Sequence, residues 1–175
     1  MDGEQFWQII EATRDATPEG QLEKFKRELQ CLTAEQLIDF ERQFAHRSFA
    51  AYNWDLWVVA WLCQHGMCSD DSFMDFRSWL ISRGRATYEA ALADADSLAD
   101  EMRQTEQPEF ELFGYVPSQT YRELTAEEFP ELGLRHPKEP LGGDWLPPEL
   151  KDRTGSRLLI LQWRARRDSN AGPSA

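Results

Sequence analysis

The stretch Asn53-Trp-Asp-Leu-Trp-Val-Val-Ala-Trp-Leu-Cys63 decides how this chain reads. Asn53 is a residue type whose side-chain oxygen caps a helix start, and Asp55 in the first turn suits the positive end of the helix dipole. From Leu56 to Cys63 every residue is apolar, whichever face it lies on. A helix without a polar side is normally enclosed by the rest of its domain. The run is also far shorter than the roughly 20 helical residues that cross a bilayer, so no membrane span is expected. Trp54, Trp57 and Trp61 recur at i, i+3 and i+7 and must share one stripe. Trp7 and Trp79 are available to join it. The expectation is a mainly α, single-domain helical bundle around a buried, Trp-rich central helix.

Working back toward the start, three amphipathic helices precede this stretch. Asp2 with Gln5 has the spacing of a capping box, and Phe6, Ile9, Ile10 and Thr13 then share a face. Thr17-Pro18 sets a cap beside a proline at the first helical position, and Leu22, Phe25, Leu29 and Leu32 continue the pattern. Thr33 with Gln36 repeats the box before Leu37, Phe40, Phe44 and Ala51. Short polar junctions imply antiparallel neighbours.

Working forward, Gly66 is a natural helix stop. Ser69-Asp70-Asp71-Ser72 opens a helix with Phe73, Phe76, Trp79 and Leu80 on its apolar side, ending at Gly84. Arg85–Ala93 and Ser97–Met102 read as two more helical pieces, and 101–109 as a loop. Phe110–Val116 reads as a short strand or helical turn, Pro117–Leu124 as a helix, and Thr125-Ala-Glu-Glu128 as the start of at most two further turns. Between 130 and 155, five prolines and four glycines exclude a long regular element. Arg157–Trp163 is a short apolar run whose period does not choose between strand and helix. The expected organisation is a helical domain over 1–130, an irregular Pro/Gly-rich segment over 131–155 and a basic tail over 156–175.

Charge bounds the partners. The net charge is -12, with 31 acidic and 19 basic residues among 175. Such a field repels a nucleic-acid duplex or a bare anionic membrane, both of which are approached through clustered Lys and Arg. The imbalance is uneven: residues 151–175 hold six basic and two acidic side chains, +4, which leaves -16 on the other 150. A basic tail folding onto an acidic body, or a tail that binds something separately, both fit. Nucleic-acid binding through 151–167 is the weakest of the functional readings. Cys31, Cys63 and Cys68 are odd in number and no secretory signal opens the chain, so free thiols in a cytoplasm are expected.

Few residues carry chemistry. Cys63-x-His65-x-x-Cys68 puts three soft donors around a turn, but tetrahedral zinc needs a fourth, and the spacing matches no common finger. Packing is the simpler role, and neither a metal nor a cofactor is expected. Cys68 precedes a helix start, which lowers a thiol pKa, yet Asp70 and Asp71 act against that. Asp55, Asp70 and Asp71 open two successive helices and read first as capping-turn acids. Phosphate loops, dinucleotide fingerprints, nucleophile elbows and zincin helices are absent.

Taken together, Tyr52-x-Trp-Asp-Leu-Trp57, Gly66-x-Cys-Ser-Asp-Asp71-x-Phe73, Phe76-Arg-x-Trp-Leu-Ile81, Gly84-Arg85 and Tyr88-Glu-x-Ala-Leu92 resemble the family called domain of unknown function 4240. The resemblance covers residues 1 to about 130. It implies a bacterial, mostly actinobacterial, cytoplasmic protein with no activity to carry over. It also marks Trp54, Asp55, Trp57, Cys68, Ser69, Asp70, Asp71, Arg77, Trp79, Gly84 and Arg85 as signature positions.

The function expected from all this is an interaction or regulatory module. It would bind a protein or small molecule near the 66–85 turn, through Trp54, Asp55, Trp57, Cys68, Asp70, Asp71, Arg77 and Arg85. The rival is an enzyme acting on an anionic substrate in an Asp/Arg pocket at the central helix, since Arg suits such groups.

Overall fold

Capping chemistry places most of the helix starts. The computed structural model describes residues 1–64, 67–105 and 108–142, and at 100, 103 and 104 the backbone alone. In α1 (Gly3–Ala12) the Asp2 carboxylate accepts the Gln5 N–H at 2.9 Å, and Gln5 returns the bond to the Asp2 N–H at 3.2 Å. Thr33 and Gln36 do the same for α3 (Ala34–Ala50). Thr17 with Pro18 opens α2 (Pro18–Gln30), Asn53 opens α4 (Trp54–Cys63) and Ser69 opens α5 (Asp70–Ser82). A cap of this kind is worth about 1 kcal/mol. The start of α6 (Arg85–Ala93) is different. Gly84 stands at φ 93°, and the Arg85 N–H is answered from another helix, by Glu11 on α1 at 2.9 Å. A side chain at 84 would be strained and would collide with that carboxylate.

Three segments differ from the expectations. A 3-10 turn (Ala95–Leu98) leads directly into α7 (Ala99–Gln104), so helix continues past Met102 into the region read as loop. Residues 111–125 are one helix, α8 (Glu111–Thr125), with Pro117 inside it. Proline removes one backbone donor, the one that would meet the Phe113 carbonyl, and normally costs about 3 kcal/mol in a helix interior. Burial of Phe113, Val116, Pro117, Thr120 and Tyr121 along one side supports the continuous helix. Thr125 closes α8, with Ala126 in the left-handed region, and starts nothing.

The fold is mainly helical around an aromatic core. α8 packs against α2, α3 and α5. Its Phe113 stacks on Phe25 at 4.0 Å and meets Phe110 at 5.0 Å, while Phe25 and Phe6 both reach Phe40. Gly114 permits close approach to α5, since a Cβ there would come within 3.0 Å of Ser78 Oγ. α4 buries Leu56, Val58, Val59 and Ala60. Trp54, Trp57 and Trp61 are half-buried rather than enclosed. Trp7 and Trp79 do not extend their stripe: Trp7 packs on Phe6 and Tyr88, and Trp79 on Phe76.

Past Phe129 the described chain returns to the body. Leu141 pairs beside α4 in a parallel bridge, donating to the Tyr52 carbonyl at 2.8 Å and accepting from the Trp54 N–H at 3.1 Å. His136 sits edge-on to Phe49 and Tyr52. The Gly66 stop, the rest of the Pro/Gly-rich segment, the apolar run Arg157–Trp163 and the basic tail lie outside the described residues.

Arg77 ties these parts together. It is 3% exposed, and its guanidinium donates to the Phe73 carbonyl at 3.3 Å and the Ser48 carbonyl at 3.0 Å. Ser48 lies in the last turn of α3, where a carbonyl has no intrahelical donor and the dipole favours a cation. Tyr52 and Phe73 supply ring faces at 5.0 and 5.1 Å. His136 Nδ1 lies 2.7 Å from the Pro137 carbonyl and must donate to it, which leaves Nε2 to accept from Arg77 at 3.3 Å. Burial pulls the guanidinium pKa down to about 10, still charged at neutral pH.

Two predictions follow from this packing. Arg77→Met should lower unfolding free energy by about 2–4 kcal/mol in urea titrations, because the Ser48 carbonyl loses its donor. Glu41 on α3 has a sealed Oε2 with no hydrogen-bond partner among the described residues, and burial raises its pKa from 4.5 to about 7. The folded state therefore holds this proton more tightly than the unfolded one. Stability from this group is greatest below pH 4.5 and falls as pH rises to 7, by up to about 3 kcal/mol. Glu41→Gln should raise the melting temperature at pH 8 and leave it nearly unchanged at pH 4.5.

Candidate functional site

The eight residues expected to form one site fall in five places. Trp57 is part of the core edge, between Tyr52 at 5.7 Å and Phe73 at 4.6 Å, with Trp54 beside it at 5.8 Å. Arg77 is enclosed as described. Arg85 lies on the surface at the α1–α6 side, where it donates to Glu89 at 2.7 Å and Glu4 at 3.0 Å. These exposed pairs contribute little to stability. Asp55 faces a groove between α4 and the end of α6. Cys68, Asp70 and Asp71 remain together, at the N-terminal end of α5. The structure therefore does not assemble a pocket combining Asp71, Arg77 and Arg85, because Arg77 points inward and Arg85 engages α1.

The α5 end is rich in carboxylates, of which Asp70 acts through space on the buried charge of Arg77. Asp70 and Asp71 are exposed in its first turn. The Phe110 N–H donates to the Asp75 carbonyl at 3.1 Å and brings Glu109 and Glu111 alongside. Asp75 is pushed up to about 6, first by burial and then by the charges of Glu111, Glu109 and Asp71. Among the described residues none of these five acids is in an ion pair. Large apolar side chains stand open on the same two helices and the turn before them: Met67 at 73% exposure, Met74 at 40%, Leu112 at 55% and Tyr115 at 43%. Asp75, Glu109, Glu111 and the exposed apolar set escaped sequence reasoning. Asp75 and Met74 lie off the Phe73–Phe76–Leu80 stripe, which was a usable sign. Nothing local links Glu109 to Asp75.

The thiols are poorly suited to nucleophilic work. Cys68 is pushed up to about 12, by burial first and then by Glu109, Asp70 and Cys63, and Cys63 to about 11 by burial. Both stay protonated at neutral pH, and Cys63 Sγ rests 3.0 Å from Met102 Sδ. His65, the middle member of the donor set considered above, lies outside the described residues. Among the described residues no three His, Cys, Asp or Glu side chains converge as metal ligands.

Among the described residues, two grooves can be traced on the surface. One, of about 560 Å³, is lined by Asp55, Asp94 and Asp96 together with Leu92, Leu141 and Gly142. The other, of about 470 Å³, runs between Trp7, Glu4 and Glu11 of α1 and Arg85 and Glu89 of α6. Among the described residues no helix is long and apolar enough to cross a membrane.

Comparison with known proteins adds a family and no activity. No curated protein and no solved structure matches the chain. A family model described as "Protein of unknown function (DUF4240)" matches residues 1–123, a span that runs from the capping box of α1 almost to the end of α8. The chain belongs to the DUF4240 family.

Proposed function

We propose that this protein is a binding module whose partner is a basic, partly apolar segment of another protein, docked where the N-terminal ends of α5 and α8 meet. The observation that carries this reading is the unanswered acidity around Asp75 beside exposed Met67, Met74, Leu112 and Tyr115. Clustered carboxylates without a cation cost the folded state free energy, and a Lys- or Arg-bearing partner would relieve that cost on binding. Methionine side chains adapt to varied apolar partners, and an exposed tyrosine offers a rigid contact with a polar tip. This face includes Cys68, Asp70 and Asp71 from the sequence expectation and leaves Arg77 and Trp57 as its support.

A helical Leu/Lys peptide is a direct probe, with the same peptide carrying Glu for Lys as control. Calorimetric titration should detect the lysine form alone, and Asp71→Lys with Asp75→Lys should weaken it at least tenfold, about 1.4 kcal/mol. Raising salt should weaken it as well. Equal affinity for the wild type and the doubly reversed variant would refute the assignment.

A further inference from the structure

We infer that the groove between α4 and the end of α6 is the docking site of this chain's own basic segment, residues 156–167. This surface is separate from the α5–α8 face proposed for an external partner, and the two assignments stand independently.

Three observations converge on it. The first is where the described chain goes. Leu141 is held against Tyr52 and Trp54 by two backbone hydrogen bonds, and with Gly142 it forms one wall of the groove. The chain therefore continues from the groove's own rim. Residue 156 lies 14 positions further on, a span of up to roughly 45 Å, so reach is not limiting.

The second is chemistry. Asp55, Asp94 and Asp96 bring three carboxylates to a groove walled otherwise by Asn53 and by small or apolar residues, with Leu92 at 38% and Leu141 at 53% exposure. The last turn of α6 adds the partial negative charge of a helix C-terminus. Arg157-Leu-Leu-Ile-Leu-Gln-Trp-Arg-Ala-Arg-Arg167 has the complementary composition, an apolar run with arginines at both ends. Arginine pairs with carboxylates through its fork of donors, and its stem covers apolar surface.

The third is overall charge. The +4 of residues 151–175 faces -16 on the remainder. Tethering makes the encounter intramolecular, which raises the effective concentration of the segment at the groove. Even weak contacts suffice under that condition.

Zero-length carbodiimide coupling of the full-length chain tests this. Arg164→Lys, Arg166→Lys and Arg167→Lys each keep the charge while adding a reactive amine. Lys24–Asp15 at 2.7 Å and Lys26–Glu123 at 2.8 Å serve as internal standards for coupling. The expected result is monomeric protein in which a new amine is joined to Asp55, Asp94 or Asp96, in a yield independent of protein concentration. Asp94→Asn with Asp96→Asn should cut that yield at least fivefold while the two standards are unchanged. Links to Asp71, Asp75, Glu109 or Glu111 would overturn the inference by placing the tail on the other face. Links confined to covalent dimers would overturn it in favour of a second copy. Coupling of the standards without any link from positions 164, 166 or 167 would overturn it as well. None of these outcomes depends on whether the Leu/Lys peptide binds.

Discussion

Burying a guanidinium with no carboxylate in hydrogen-bonding contact is costly, and the arrangement that makes Arg77 tolerable organises much of the molecule. Its charge is met by the Ser48 carbonyl at the end of α3, by Phe73 on its own helix, by two ring faces and by the His136 imidazole. Each of these belongs to a different piece of chain except Phe73, so one side chain registers α3, α5 and the returning segment against each other. A lysine could not replace it. Three separate directions of donation and a flat face for stacking are properties of the planar fork. Tyr52, pressed on that fork, also receives the Leu141 N–H through its carbonyl. The tie thereby extends to the α4 start and to the wall of the groove that Asp55 lines.

Around this tie the surface charge is treated unequally. On the α1–α6 side Arg85 stands between Glu4 and Glu89, and on α2 Lys24 and Lys26 answer Asp15 and Glu123. The Asp15 carboxyl is held below its usual range mainly by its bond to Lys24. At the α5–α8 end, burial first and then the charges of Glu111, Glu109 and Asp71 hold Asp75 well above the usual range. An acid-rich face of this kind destabilises the free protein slightly and speeds encounter with a basic partner. Its occurrence on the helices that carry open methionine and leucine side chains is what supports the proposal of a basic partner.

Helix starts were legible because capping is a three-residue affair. Asp2, Thr17, Thr33, Asn53 and Ser69 each declare a start from neighbours alone, and each accepts the expected backbone N–H. α8 was harder to see because Gly114 and Pro117 both argue locally against a helix. Their justification lies elsewhere, in the close approach of Ser78 and in the aromatic side of α2 and α3. Arg77 and Arg85 lie apart for a related reason. Arg77 and Arg85 are eight positions apart, but Gly84 turns the chain between them, and Arg85 finds its acids on α1.

By itself, then, the sequence determined that this chain is helical, aromatic-cored and acidic, along with where most helices begin, since these depend on composition, period and near neighbours. Tertiary structure decided the continuous α8, the half-burial of the Trp stripe, the role of Arg77 and the gathering of Asp75 with Glu109 and Glu111. Those features depend on which distant groups meet. Contact energies between them are comparable to or larger than local preferences, so no reading of neighbours along the chain could supply them.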